Sequence, residues 1–166
     1  MQKIVPCLWF DNQAEEAAQF YASIFKNSKV GELTRYDDDV ANAVGRPAGS
    51  VMTVVLWLED QEFLLLNGGP MFKFTEAISL MINVENQEEL DEINAKLLSG
   101  GGEQSMCGWV KDKYGLSWQV TPTVMWKMHH DPDPEKRKRM MAAMMEMKKL
   151  DIATLEKAFN GEAVTK

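Results

Sequence analysis

The residues best suited to chemistry cluster in one stretch, Gly108–Thr121 (GWVKDKYGLSWQVT). It reads as two strands pinched by a glycine turn, with Trp109, Ser117, Trp118 and Gln119 in one hairpin. Aromatic walls beside neutral hydrogen-bonding groups suit capture of a small molecule. Strand alternation puts Trp118 opposite to Gln119, in the core or in packing between subunits. Asp112 and Lys113 form the turn, an exposed ion pair of little energetic consequence. Cys7 and Cys107 lie far apart without a CxxC pattern and read as reduced, mostly buried thiols. His129 and His130 are adjacent, so a regular element cannot readily aim both at one site. Beside Asp131 and Asp133 they read as a polar linker before a helix, with a nickel or zinc site as the lesser alternative. Asn67-Gly68-Gly69-Pro70 is either a plain turn or a backbone held open for a ligand.

These residues must be carried by regular elements. Lys3–Phe10 predicts a strand at an edge or with Pro6 near its start, Val5, Cys7 and Trp9 facing one side and Ile4, Leu8 and Phe10 the other. Asp11 or Asn12 then caps a helix whose apolar stripe is Ala14, Ala17, Ala18, Tyr21, Ile24 and Phe25. Lys29–Tyr36 reads as a strand, and Asp37–Ser50 as a long connection, either a lid or partly disordered. Val51–Glu59 and Glu62–Asn67 are strands joined at Asp60-Gln61.

The order then restarts. Ala77–Val84 is a strand; Gln87–Leu98 is a helix with Leu90, Ile93, Leu97 and Leu98 on one side, stopped by Ser99–Gly102. Glu103–Val110 and Leu116–Thr121 close the set. The pattern recurs although the residues do not, which predicts two α+β modules side by side, their sheets curving round a shared cup. Asp131–Pro134 starts a helix over Lys136–Lys149, with Met140, Met144 and Met147 on one stripe and Met141 and Met145 beside it. Asp151 caps a second helix, Ile152–Phe159. The Met-rich face is either an adaptable binding surface or the packing face of a tail helix on its own body or a second subunit.

The net charge of −7 argues against nucleic acid, which needs a basic face. The longest apolar stretch, Val51–Leu58, is too short to cross a membrane. No apolar run follows a basic start, so no signal peptide is expected and the expected location is cytoplasmic.

Four stretches carry a resemblance to a known family: PCLWFDNQAEEAAQFYASIF (Pro6–Phe25), FLLLNGGPMFKFTEAISL (Phe63–Leu80), NQEELDEINAKLLSGGGE (Asn86–Glu103) and CGWVKDKYGLSWQVTP (Cys107–Pro122). They resemble the PhnB-like branch of the vicinal oxygen chelate superfamily, the glyoxalase/bleomycin-resistance fold, also known under a 3-demethylubiquinone-9 3-methyltransferase label. The resemblance implies an α+β fold of paired βαβββ modules over residues 1–124 (about 1–70 and 71–124), with a C-terminal helical extension over 125–166. It also implies a cup-shaped pocket and a homodimer.

In metal-using relatives four side chains, mostly His and Glu, hold a divalent ion. Those positions fall on Val5 or Cys7, near Phe63–Leu65, on Ser79 and on Gln119, and none is His or Glu. No cofactor is therefore expected and no metal ligand assigned. A glyoxalase- or dioxygenase-like enzyme with a divalent metal at Cys7 and Gln119 is the alternative. A methyl donor such as S-adenosylmethionine needs a glycine-rich loop between a strand and a helix. Asn67–Pro70 precedes no helix, and Gly100–Gly102 follows one. What remains is a cup lined by Cys7, Trp9, Trp57, Asn67, Ser79, Met81, Ser117 and Gln119, for a small molecule as partner. An interaction module built on the Met-rich tail is a third reading.

Overall fold

One chain order is built twice in the structure, a computed structural model that describes residues 2–163. The first compact unit runs to Phe74 and the second starts at Thr75. The first contains β1 (Cys7–Phe10), α1 (Ala14–Ile24), β2 (Ser28–Arg35), α2 (Asp38–Val44), β3 (Val51–Leu58) and β4 (Gln61–Asn67). Its sheet has the order β1-β4-β3-β2, with β1 parallel to β4 and the other pairs antiparallel. The second contains β5 (Ser79–Val84), α3 (Gln87–Leu98), β6 (Glu103–Gln104), β7 (Trp109–Lys111) and β8 (Ser117–Pro122). Its sheet order, β5-β8-β7-β6, repeats the first, again with one parallel pair, β5 and β8. Each unit is thus a βαβββ module, and the α+β expectation holds.

The period-2 pattern decides which face of each sheet is covered. In the first unit Leu8, Phe10, Val54, Leu56, Leu58, Phe63 and Leu65 are buried, as are Ala14, Ala17, Ala18, Tyr21 and Ile24 of α1. Three alanines on that stripe let the helix come close to the strands. In the second unit Val84, Val110, Trp118 and Val120 are buried, as are Leu90, Ile93 and Leu97 of α3. Trp118 is 2% exposed, so alternation places it correctly in the core.

Several sequence expectations change. The cap position of α1 is Gln13, whose side chain makes no capping bond. The first helical N–H, on Ala14, is instead taken by Asn67 Oδ1 at 2.8 Å, from the end of β4. Asp11 meets Arg46, through its carbonyl at 2.6 Å and its carboxylate at 3.3 Å. The connection Asp37–Ser50, expected as a lid or a partly disordered stretch, contains α2, capped by Asp37, which accepts from the Val40 N–H at 2.8 Å, and closed by Gly45 in the left-handed region. The β3–β4 turn is Glu59-Asp60, one residue earlier than expected, both with positive φ. The expected strand Glu103–Val110 is interrupted, with β6 ending at Gln104 and β7 starting at Trp109.

The tail is part of the second unit. Behind β8 come α4 (Val124–His129), α5 (Pro134–Met145) and α6 (Ile152–Asn160). Asp133 and Asp151 cap the last two as the sequence predicts, accepting from the N–H groups of Glu135 and Thr154. The chain between α5 and α6 is tied to the module. The Cys107 and Gly108 N–H groups donate to the Met147 and Lys148 carbonyls, both at 2.7 Å, and Lys149 pairs with Asp91 at 2.7 Å. Gln87 Oε1 accepts from the Ile152 N–H at 2.9 Å, and Leu150 is fully buried. Among the described residues no helix is long and apolar enough to cross a membrane.

Candidate functional site

The face of the second sheet away from α3 is where the predicted polar residues meet. Registers Ser79↔Ser117, Met81↔Gln119 and Trp109↔Gln119 put Ser79, Met81, Trp109, Ser117 and Gln119 on one face. Gln119 Nε2 donates to Ser79 Oγ at 2.8 Å, which fixes the amide and leaves its carbonyl oxygen as an acceptor. Ser117 is only 2% exposed and is closed off from any ligand.

Over this face lies a cavity of about 250 Å³, lined by Met81, Trp109, Gln119 and Thr121 of the sheet, by Cys107, and by Met125, Trp126, His129, Met144 and Leu150 of the tail. The size is a little under the roughly 300–1,000 Å³ of drug-sized ligand sites and suits a small ring compound. Trp126 is held over the sheet by its indole N–H, which donates to Asn83 Oδ1 at 3.2 Å, and the His130 ring stacks on it. The histidine pair therefore belongs to the end of α4, not to a linker, with His129 at the cavity and His130 bracing Trp126. A larger cleft, about 460 Å³, lies among tail residues but opens broadly to solvent and mixes Lys127, Asp131 and Glu156.

In the first unit Cys7, Trp9 and Trp57 share the face away from α1, with Leu64 and Leu66 between them. Asn67 does not join them, because its strand parity is that of Phe63 and Leu65. It is 4% exposed and fully used: Oδ1 accepts from the Ala14 N–H, Nδ2 donates to the Val51 carbonyl at 3.0 Å, and its own carbonyl accepts from Tyr36 Oη at 2.7 Å. Gly68 serves packing. A Cβ there would come within 2.2 Å of the Trp9 ring, and the Trp9 indole N–H donates to the Gly69 carbonyl at 2.8 Å. The backbone is held open for a tryptophan of its own chain.

Two more expectations are corrected. Asp112 is not exposed as the turn reading expected: it is 3% exposed and accepts from the Tyr114 and Leu116 N–H groups and from the Trp118 indole at 2.8 Å. Cys7 is exposed and Cys107 half-buried, so neither thiol is a core residue. Desolvation nevertheless pushes the Cys7 thiol up, which keeps it protonated at neutral pH.

The fit of a divalent ion can be judged from these donors. Among the described residues no group of three or more His, Cys, Asp or Glu converges. In the first unit Cys7 is a single thiol among apolar strand residues, and in the second Ser79 and Gln119 are a hydroxyl and an amide bonded to each other. Taken unit by unit, neither group of donors fits a divalent ion. A nucleotide-like methyl donor fits no better, since Gly68 is covered by Trp9 and no helix starts between Asn67 and Ser79 to receive a phosphate or carboxylate.

Residues 2–121 match the family described as 3-demethylubiquinone-9 3-methyltransferase. The chain belongs to that family. Its PhnB-like character is plain from a solved relative, a putative 3-demethylubiquinone-9 3-methyltransferase, PhnB protein, from Bacillus cereus. That structure is 35% identical, with a TM-score of 0.65, and the match covers 74% of this chain and 100% of that one. Protein PA1353 from Pseudomonas aeruginosa shares the fold at 19% identity and a TM-score of 0.57, over 74% of this chain and 98% of that one. A glyoxalase/bleomycin resistance protein from Albidiferax ferrireducens T118 is matched at 14% identity and a TM-score of 0.44, over 70% and 95% of the two chains, too slight to carry an argument. No curated protein matches the chain. The matched family and the PhnB relative cover the two sheets, while five of the cavity residues, Met125, Trp126, His129, Met144 and Leu150, lie beyond the matched range. Of the residues the sequence offered for a cup, Met81 and Gln119 line this cavity; Thr121, Cys107 and those five were not offered for it, and the five reach it only through tail docking.

Proposed function

We propose that this PhnB-like protein binds a small, neutral aromatic molecule bearing a hydroxyl or N–H group, without a metal, in the cavity over Gln119. The observation that carries this reading is the Gln119–Ser79 hydrogen bond at 2.8 Å beneath a wall of Trp109, Trp126 and methionines. A locked amide presents one acceptor in fixed orientation, and aromatic and thioether walls supply dispersion without charge. The Gln119 amide and the Ser79 hydroxyl are both neutral and bonded to each other, which supports binding over acid–base chemistry by this pair. The protein acts by sequestering or carrying its ligand in the cytoplasm as a homodimer, with Cys7, Trp9 and Trp57 forming a second apolar face.

A thermal-shift screen of purified protein against neutral phenols, indoles and quinols tests it. At least one class should raise the melting temperature in wild type and not in Gln119→Leu. Absence of a shift across the panel, or equal shifts in the variant, sinks the reading. Elemental analysis of native protein addresses the metal-dependent alternative: stoichiometric divalent metal would replace the proposal.

A further inference from the structure

The two adjacent histidines at the end of α4 are used differently. His130 Nδ1 donates to the Trp126 carbonyl at 2.7 Å, and its ring stacks on the Trp126 indole. His129 is exposed and makes no hydrogen bond or ion pair among the described residues. Its place is nevertheless fixed. It follows Met125 by four positions and Trp126 by three, so the three share one face of α4, and all three line the Gln119 cavity. Met125 is 3% exposed and the Trp126 indole is tied to Asn83 Oδ1, which pins that face over the sheet.

The cavity therefore has two unengaged polar groups of opposite kind on different elements. Gln119, on β8, has its amide nitrogen taken by Ser79 Oγ at 2.8 Å, so the group it offers is an acceptor. The His129 ring, on α4, keeps at least one N–H to donate in either charge state. A cavity of about 250 Å³ is about 8 Å across if spherical, the span of one ring with a polar group at each end.

We propose that His129 sets ligand specificity at this cavity, donating to a carbonyl oxygen of the ligand while Gln119 accepts from the ligand's hydroxyl. The ligand class is then a hydroxyaryl carbonyl compound, a single ring with the two groups at opposite ends. The inference rests on the reading of the Gln119 cavity as a binding site and adds to it a second polar contact. His129 lies outside residues 2–121, so this selectivity belongs to the tail of this chain and not to the matched family module.

The test uses two probes of nearly the same shape, 4-hydroxyacetophenone and 4-isopropylphenol, which differ in the carbonyl oxygen. Isothermal titration calorimetry of the full chain gives a Kd for each. His129→Leu is expected to weaken 4-hydroxyacetophenone about fivefold, the order of one net hydrogen bond, and to leave 4-isopropylphenol within about twofold. His129→Gln keeps an N–H donor and is expected to retain most of the preference. Gln119→Leu is expected to weaken both probes, because both present the hydroxyl. An unchanged ratio of the two affinities in His129→Leu, or an equal loss for both probes, overturns the inference. The Gln119 reading then still stands if Gln119→Leu weakens 4-isopropylphenol. Binding of neither probe to wild type also overturns the inference, and the reading falls with it only when indoles and quinols fail as well.

Discussion

The indole of Trp9 lies so close over Gly68 that a Cβ on the glycine would come within 2.2 Å of the ring. Trp9 is also held by its N–H bond to the Gly69 carbonyl and by an edge contact with Phe72 at 5.0 Å, so it has little room to yield. Gly68→Ala should cost about 1–3 kcal/mol in urea denaturation, the usual penalty for overpacking. In a Trp9→Ala background the same change should cost much less. Equal costs in both backgrounds would show that the ring is not the obstacle.

Asp112 gathers the turn of the hairpin around one buried carboxylate, with two backbone N–H groups and the Trp118 indole as donors. Asp112→Ala strands those donors, and each unsatisfied buried group costs about 1–3 kcal/mol. A loss of roughly 3 kcal/mol or more is expected. Trp118→Leu would remove a large core side chain as well, so Trp118→Phe, expected near 2 kcal/mol or below, is the better partner variant. Thermal melts followed by far-ultraviolet circular dichroism check the order; a harmless Asp112→Ala contradicts it.

At the cavity, Ser79→Ala should free the Gln119 amide to rotate and weaken a ligand that passes the screen by about tenfold, the value of one hydrogen bond near 1.4 kcal/mol. Gln119→Leu should remove the acceptor and weaken it further. Isothermal titration calorimetry separates the two. A ligand indifferent to both substitutions binds elsewhere.

The tail anchor gives a pH dependence. Lys149 bonds Asp91 at 2.7 Å, and Gln87 Nε2 donates to the same oxygen at 2.9 Å; the Lys149 hydrogen bond, then that of Gln87, holds the carboxyl below its ordinary range. A folded value below the unfolded one means stability present above the ordinary aspartate value of about 3.9 and lost as pH falls through the folded value. Both side chains are 46% exposed, so screening limits the contribution to roughly 0.5 kcal/mol. Asp91→Asn should lower stability slightly at pH 7 and not at pH 2, and 0.5 M salt should shrink the difference. A larger loss at low pH than at neutral pH would reverse the sign and refute the assignment.

Much of the fold was determined by the sequence itself, because its signals are local. Alternation in Lys3–Phe10 put Cys7 and Trp9 on one face and Leu8 and Phe10 on the other, and alternation in the hairpin sent Trp118 inward. Asp151 is a cap on either reading, and the structure picks Asp133 from the Asp131–Pro134 start, since a short carboxylate needs only the next helical N–H groups. The doubled order of strand, helix and closing strands was visible in hydrophobic periodicity, whereas the split of Glu103–Val110 into β6 and β7, which completes the second βαβββ set, was not. The helix α2 escaped notice because it is seven residues long and buries only Ala41, too little periodicity to separate it from a loop.

The tertiary structure alone decided the site. Nothing near Asn67 in sequence says that its side chain must satisfy the orphan N–H of a helix 53 residues earlier, which turns a candidate ligand group into a structural one. Nor does any local feature of Gly68 announce that Trp9 will lie upon it. The Gln119 cavity exists because hydrogen bonds from Cys107 and Gly108 draw the tail over the second sheet. Local rules govern neighbours along the chain; a pocket is a relation between residues far apart in it, fixed only when their hydrogen bonds and buried surfaces close together.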